Sequence, residues 1–149
     1  MISPDLVQKA IIKMLQADTN LMSALNNDPN RIKELEYQGQ DFSYPNIRVD
    51  IQPQYPIGDG VDRIKLSNIH WTNRIYSEQP SSQEANRILG LVVNAQFNKQ
   101  WVGTDSNETP NFYLVRIDLA NIDNAVRISD KLWVATAVFQ SLVNPKTAP

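Results

Sequence analysis

The stretch IHWTNRIYSE (69–78), followed closely by SSQEANRILGLVVNAQFNKQW (81–101), decides the fold because an alternating pattern gives way there to a helical one. Apolar residues occupy alternate positions of the first run, which predicts a half-buried strand. Ser81 and Glu84 have the S-x-x-E spacing of a capping box, so we expect the second run to begin a long helix. Strand and helix together form one unit, in which the helix covers the sheet.

The apolar surface of this helix is wider than a single stripe. Residues at helical spacing form the stripe, and further apolar residues widen it: Ala85, Ile88, Leu89 and Val92, then Leu91, Val93, Ala95 and Phe97. A helix apolar over so much of its circumference is buried on more than one side. It either lies between a sheet and the N-terminal helix, or its spare face meets another subunit.

The N-terminus predicts two more helices. Ser3 is a suitable N-cap, and Pro4 takes the first helical position, where its missing N–H costs nothing. The apolar residues that follow share one helical face: Leu6, Val7, Ala10, Ile11, Met14 and Leu15. Asp18 or Thr19 then caps a shorter helix, which the turn-forming segment NNDPN (26–30) ends.

Extended segments follow before residue 69. RIKEL (31–35) predicts a short edge strand, and the alternation in IRVDI (47–51) predicts a half-buried one. The proline-bearing QPQYPIGDGVDR (52–63) is expected to be a long loop. The apolar phase changes between Ser67 and Asn68, which predicts a β-bulge or a strand break there.

Two strands are expected after the long helix. VGTDSNETPN (102–111) reads as a polar loop, and FYLVRIDL (112–119) alternates as a strand. The turn-forming residues 121–124 are expected to reverse the chain. LWVATAVFQSLV (132–143) is apolar in both phases, which predicts a strand covered on both faces.

This order of elements predicts a single α+β domain over residues 1–149. We expect a mostly antiparallel sheet of four to five strands, with the two main helices packed on one face. The 149 residues are enough to bury a core without disulfides, and the chain contains no cysteine.

The amino-acid composition limits which partners and locations we expect. A net charge of -2 leaves no basic field to attract phosphates, so nucleic acid is not expected as the main partner. No segment is apolar for the ~18 residues that a membrane span needs, and no secretory signal is apparent, so we expect a soluble, cytoplasmic protein.

Candidate catalytic chemistry is sparse. His70 is the single histidine, and as a strand residue we expect it to be a surface or hydrogen-bonded side chain. Asp59 and Asp62 could share a cation, but carboxylates in a loop are more often solvated. We therefore expect no enzyme, no cofactor and no metal. Among the tryptophans, Trp71 and Trp133 are expected in the core, and Trp101 is the better interface candidate.

Several segments resemble the phage tail terminator (tail completion) family of long-tailed bacteriophages, which includes proteins described as minor tail or neck proteins. They are LVQKAIIKMLQADTNLMSAL (6–25), YPNIRVDIQPQYPIGDG (44–60), the strand–helix unit with its intervening break (69–101), YLVRIDL (113–119) and KLWVATAVFQSLV (131–143). The resemblance covers most of the chain.

The resemblance implies a structural virion protein that is not an enzyme. Such proteins form a homo-oligomeric ring, usually a hexamer, that caps the tail tube, stops its polymerisation and offers the surface for head–tail joining. The implied partners are the tail tube protein and a head–tail connector or neck protein, with the genome passing through the ring without sequence-specific binding. The implied location is the tail or neck of a virion assembled in the host cytoplasm.

Two alternatives stay open. One is another neck component, a head-completion or adaptor ring. The other is a small α+β ligand-binding or hydrolytic domain acting through His70 and Asp59 or Asp62; a deep pocket holding His70 would favour it.

The interface residues expected under the terminator hypothesis lie in the two long loops and at the end of the helix. They are Tyr55, Asp59, Asp62, Arg63, Trp101, Asp105 and Glu108. Acidic side chains in these loops suit a passage through which DNA must slide, because like charge repels phosphate.

Overall fold

The computed structural model describes residues 2–34, 43–52, 55–57 and 66–145; of residues 55–57, 66 and 145 only the backbone is considered. The helices are α1 (Pro4–Gln16), α2 (Thr19–Ala24), a short 3-10 helix (Pro29–Arg31) and α3 (Gln83–Gln96). The strands are β1 (Ile32–Glu34), β2 (Asn46–Ile51), β3 (Tyr55–Ile57), β4 (Leu66–Ser77), β5 (Trp101–Thr104), β6 (Pro110–Ser129) and β7 (Leu132–Pro145).

The seven strands form one sheet in the order β1-β2-β4-β7-β6-β5, and β3 pairs with β4 beyond the end of β2. β1 and β2 are parallel, whereas every other pairing is antiparallel. The α+β class and the mostly antiparallel sheet are thus confirmed. The expected count of four to five strands is too low, because β3 and β5 fall in segments that read as loops.

Both main helices pack on one side of this sheet and share its core. α3 contacts the central strands β4, β7 and β6, while α1 contacts β1 and β2 at one edge and β5 at the other. For one helix to reach both edges, the sheet must curl around α3. α3 also contacts α1 and α2, so it lies between the sheet and the N-terminal helices, which is the first of the two arrangements expected from its wide apolar surface.

Residues at alternate positions of the central strands form the core. Odd-numbered residues of β4 and β7 face the helices; Trp71 and Phe139 stack there with ring centroids 5.9 Å apart. The Trp71 indole Nε1–H donates to Gln96 Oε1 of α3 at 2.8 Å, which satisfies a buried donor and ties helix to sheet. Trp71 is the core residue that the pattern predicts, whereas Trp133 is half-buried.

The N-terminal helices follow the prediction. Ser3 takes the N-cap position of α1 with extended backbone, but its side chain makes no capping hydrogen bond and donates to Asp5 instead. Pro4 is the first residue of the helix, and the expected apolar face is buried except for the partly buried Leu6. Asp18 is the N-cap of α2, where its carboxylate accepts from the Leu21 amide at 2.9 Å.

The capping box predicted for α3 is wrong. The helix begins at Gln83, and its N-cap is Ser82, whose side chain makes no capping bond. Glu84 instead accepts a hydrogen bond from the buried Ser77 hydroxyl at 2.8 Å, and Ser81 only accepts a long contact from the Gln83 amide. Because Glu84 bonds to Ser77 at the end of β4, it does not bond to the backbone at the start of the helix as a capping box requires.

α3 also ends earlier than residue 101. Its last residue is Gln96, and Phe97 is exposed outside the helix. Asn98 has a φ of 60° and donates its amide to the Ile117 carbonyl, while the Ile117 amide donates to Lys99. Pairing with β6 therefore stops the helix, and Trp101 opens a strand.

Two predictions about the strands are also wrong. β4 pairs with β7 in an unbroken register through Ser67 and Asn68, so no bulge or break lies there. Residues 121–124 do not reverse the chain; the turn is at Asp130–Lys131. β6 continues through this segment because four register irregularities against β7 absorb its extra residues.

Candidate assembly surfaces

The most prominent unassigned feature is the far end of the β6–β7 hairpin, where the expected turn is replaced by a protruding arm. Nearly every residue of 120–131 is exposed. Three large apolar side chains stand on it: Ile122 (45% exposed), Val126 (57%) and Ile128 (51%). These three residues are called the tip cluster below.

A hydrogen bond anchors the arm to the helical layer. Asn86 of α3 accepts the Ala125 amide with its side-chain oxygen at 2.7 Å. At the turn, the Arg127 guanidinium donates to the Ser129 and Asp130 carbonyls. The tip is therefore held in a defined position.

A second exposed apolar group lies at the opposite end of the same hairpin. Val102 of β5 is paired with Tyr113 of β6, and both are exposed (46% and 38%). Leu142 of β7 is exposed to 37% and is paired with Val115, which lies on the same sheet face as Tyr113. Val102, Tyr113 and Leu142 are called the base cluster.

A cavity of about 360 Å³ opens beside the base cluster. Its lining comprises Gln100, Trp101, Val102, Tyr113, Leu114, Val115 and Asn144. Trp101, predicted as an interface residue, thus lines a recess at the sheet edge while its ring also packs partly against the core.

Gly103 allows β5 to lie close to the Phe112 ring of β6. A Cβ at Gly103 would stand 2.0 Å from the ring of Phe112, its partner in β6, and Phe112 is completely buried. Only glycine lets β5 lie this close to the Phe112 ring. Although glycine often marks a turn, Gly103 belongs to an edge strand.

Two of the predicted interface residues shape the loop after β5. Asp105 accepts the amides of Asn107 and Thr109 with one carboxylate oxygen, and Glu108 lies 3.6 Å from the Lys13 ammonium of α1. Both are surface residues near the β5 edge. Their role at an interface stays a prediction.

Four further predicted interface residues remain. Tyr55 is the first residue of β3. Asp59, Asp62 and Arg63 lie outside the described residues.

His70 occupies the outer face of the sheet, where its Nε2 lies 3.0 Å from Gln140 Oε1 of β7. It is the hydrogen-bonded strand residue that the sequence predicts. In the described part of the chain, no three acidic or histidine side chains are grouped so that they could hold a metal ion. Within those same residues, no helix is long and apolar enough to cross a membrane.

Comparison with solved structures places this architecture among known folds. A chain of the virion of a native gene transfer agent particle matches with a TM-score of 0.68 and 14% identity, covering 93% of this chain and 94% of that chain. This chain shares its fold. A second solved structure matches with a TM-score of 0.52 and 11% identity, covering 100% of this chain and 99% of that one. No protein-family model matches the sequence, and no curated protein matches it significantly.

Sequence reasoning missed both apolar clusters, apart from the neighbouring Trp101. A signal for the tip was present, because Ile122, Val126 and Ile128 are apolar in a segment with turn-forming neighbours. The base cluster left none, since Tyr113 and Leu142 fit the pattern of ordinary strands.

Proposed function

We propose that the protein is a structural component of a phage-like virion, and that it acts as the tail terminator: a ring that caps the tail tube and provides the surface for head–tail joining. The observation that carries this proposal is the fold shared, nearly end to end, with a chain of the gene transfer agent virion. The segments that resemble the tail terminator family support the finer assignment.

A ring that stops tube growth needs two different faces. A tube grows as long as each added ring presents the face that the next one recognises. A terminator matches the last tube ring on one face and offers a different face for a neck protein, so growth stops. The protein thereby needs surfaces for its own copies as well as for two partners.

The exposed features of the fold suit such a role. An ordinary monomer scatters single apolar side chains over its surface, whereas six of the eight large apolar side chains exposed in the described residues lie near the two ends of the β6–β7 hairpin. We propose that these surfaces, rather than a catalytic pocket, carry the function, and that the protein is not an enzyme. The partners are further copies of the chain in a ring, with six as the proposed number, the tail tube protein and a connector or neck protein.

The genome passes through the proposed ring during packaging and ejection. A net charge of -2 gives the ring no general attraction for phosphate, so DNA would slide without being held. The proposed location is the tail or neck of the virion, with assembly in the host cytoplasm.

Deleting the gene from the particle that encodes it tests the proposal. Electron microscopy of the lysate should show filled heads and unjoined tails of uncontrolled length. Unjoined tails of normal length would instead assign the protein to another neck component. Normal, joined particles would contradict any role in tail completion and favour the small ligand-binding or hydrolytic alternative.

A further inference from the structure

A small cavity opens on the sheet where β2 begins and β4 ends. Its volume is about 150 Å³, and it is lined by Tyr44, Asn46, Arg48 and Tyr76. Asn46 and Arg48 alternate with the buried Ile47, which places them on the outer face of the sheet, away from the helices. Asn46 and Tyr76 are opposite each other in the β2–β4 pairing. The four lining residues are called the tyrosine socket below.

Asn46 is buried in this socket with an unused hydrogen-bond acceptor. The residue is 1% exposed, and its side-chain nitrogen donates to the Ser43 carbonyl at 3.3 Å. Its Oδ1 atom has no hydrogen-bond partner among the described residues. Because a buried carbonyl oxygen without a donor costs free energy, a ligand that brings an N–H or O–H group to Asn46 gains affinity.

Tyr44 is the most exposed residue of the socket, and its backbone is held in place. The Arg31 guanidinium donates to the Tyr44 carbonyl at 2.7 Å and to the Pro45 carbonyl at 3.3 Å. The Tyr44 side chain remains 38% exposed and so can contact a ligand. A wall that is fixed before binding loses little conformational entropy when a ligand docks.

Three cations lie side by side across the strands at the socket. Arg48 is opposite Lys33 of β1 on one side and Arg74 of β4 on the other, so all three occupy the outer face. Like charges that face each other across strands destabilise a sheet. Asp50 offsets part of this repulsion through an ion pair with Arg74 at 3.3 Å. Three cations and one carboxylate leave this group of side chains net positive, which favours an anionic partner.

We propose that the tyrosine socket and the adjoining cations bind an acidic peptide segment of a partner protein. A backbone N–H of the segment donates to Asn46 Oδ1, a neighbouring carboxylate binds the Arg48 guanidinium, and the segment packs against Tyr44. A guanidinium has five N–H donors, so the interaction that Arg48 already makes within the chain does not prevent this contact.

Asn46 distinguishes a peptide from a nucleic acid as the ligand. The phosphate oxygens of a DNA backbone accept hydrogen bonds, so they can satisfy an arginine but not the Asn46 carbonyl oxygen. A peptide offers an N–H donor and, at an aspartate or glutamate, a carboxylate as well. The site rests on contacts within the protein, so it goes beyond the terminator proposal and does not depend on it.

Nuclear magnetic resonance titration of the isotope-labelled protein tests the site. The probe is a peptide of the sequence Gly-Asp-Gly-Asp-Gly, blocked at both ends. One control peptide has asparagine in place of both aspartates, and the other has a methyl group on both aspartate backbone nitrogens. The acidic peptide should shift the amide signals of Asn46, Arg48 and Tyr76. It should bind at least about tenfold more tightly than either control, because each control loses one hydrogen-bonding or charged group.

Two arginine variants locate the binding. Arg48→Gln should weaken binding of the acidic peptide at least about tenfold, because it removes the charged partner of the carboxylate. Arg87→Gln is the matched control, at an exposed position of α3 outside the socket, and should leave the affinity unchanged. Amide signals away from the substituted residue verify that each variant is folded.

Four results would overturn the proposal. The acidic peptide could leave the spectrum unchanged, or the methylated peptide could bind equally well, which would remove Asn46 from the site. Equal losses in both arginine variants would indicate attraction by overall charge alone. Tighter binding of a short DNA duplex at the same signals would assign this face to phosphate. Gene deletion tests the terminator role separately, so either proposal can fail while the other stands.

Discussion

Gly103 shows how a single residue fixes the edge of the sheet. The ring of Phe112 fills the space that a side chain at Gly103 would need, and the surrounding core leaves this ring no exposed side. Gly103→Ala should therefore lower the free energy of unfolding by about 1–3 kcal/mol, the usual cost of overpacking. Chemical denaturation measures the change.

Gly90 is the matched control for this substitution. It lies exposed in α3, and a Cβ there would meet nothing within 4 Å. Gly90→Ala should raise stability by about 0.5–1 kcal/mol, because glycine is unfavourable inside a helix. Equal effects at both positions would contradict the packing described around Phe112.

The junction between β4 and α3 depends on Ser77 more than on Ser81. Ser77 is buried; its hydroxyl donates to Glu84 and accepts the Gln79 amide at 3.2 Å. Ser77→Ala should cost about 1–3 kcal/mol, since it leaves the carboxylate without this donor. Ser81→Ala, at an exposed position, should stay within about 0.5 kcal/mol. A larger drop in the denaturation midpoint for Ser81→Ala than for Ser77→Ala would instead support the capping box.

At the scale of elements, a hydrogen bond links the hairpin arm to α3 of the helical layer. Asn86→Ala removes the acceptor of the Ala125 amide. We expect local stability to fall by about 1–1.5 kcal/mol, which corresponds to roughly tenfold faster hydrogen exchange at Ala125.

Asn94→Ala is the control for the arm, because Asn94 is exposed on the same helix. Its exchange profile along β6 should match that of the unaltered protein. If Asn86→Ala leaves exchange at Ala125 unchanged, the arm is held by its pairing with β7 alone.

Elements with strong periodicity could be predicted from the sequence, and short or irregular ones could not. α1, α2, β2 and the central part of β4 follow local patterns that tertiary packing preserves. β5 has only four residues, including a glycine, so its local pattern resembles a loop. Its strand character comes from pairing with β6, a non-local interaction that no local pattern records.

The hairpin arm escaped prediction for a related reason. Asparagine and aspartate at 121, 123 and 124 favour turns, yet irregular pairing with β7 keeps this segment extended. Of the predicted interface residues, Trp101 lines the cavity beside the base cluster, and its role at an interface stays a prediction. The base cluster exists only after folding, because β5, β6 and β7 contribute one exposed residue each.

At the scale of the whole molecule, a curled sheet packs around its helices and exposes apolar side chains near both ends of the β6–β7 hairpin. Burial on the inner face accounts for stability. Under the proposed function, the exposed ends serve assembly, and copies of the chain form a ring at the head-proximal end of a tail tube.

The most direct test is a cryo-electron microscopy reconstruction of the intact particle that encodes this chain. We predict a single ring of this fold between the last ring of the tail tube and the neck. Finding the fold elsewhere in the particle, or finding that the purified virion lacks the chain, would contradict the account.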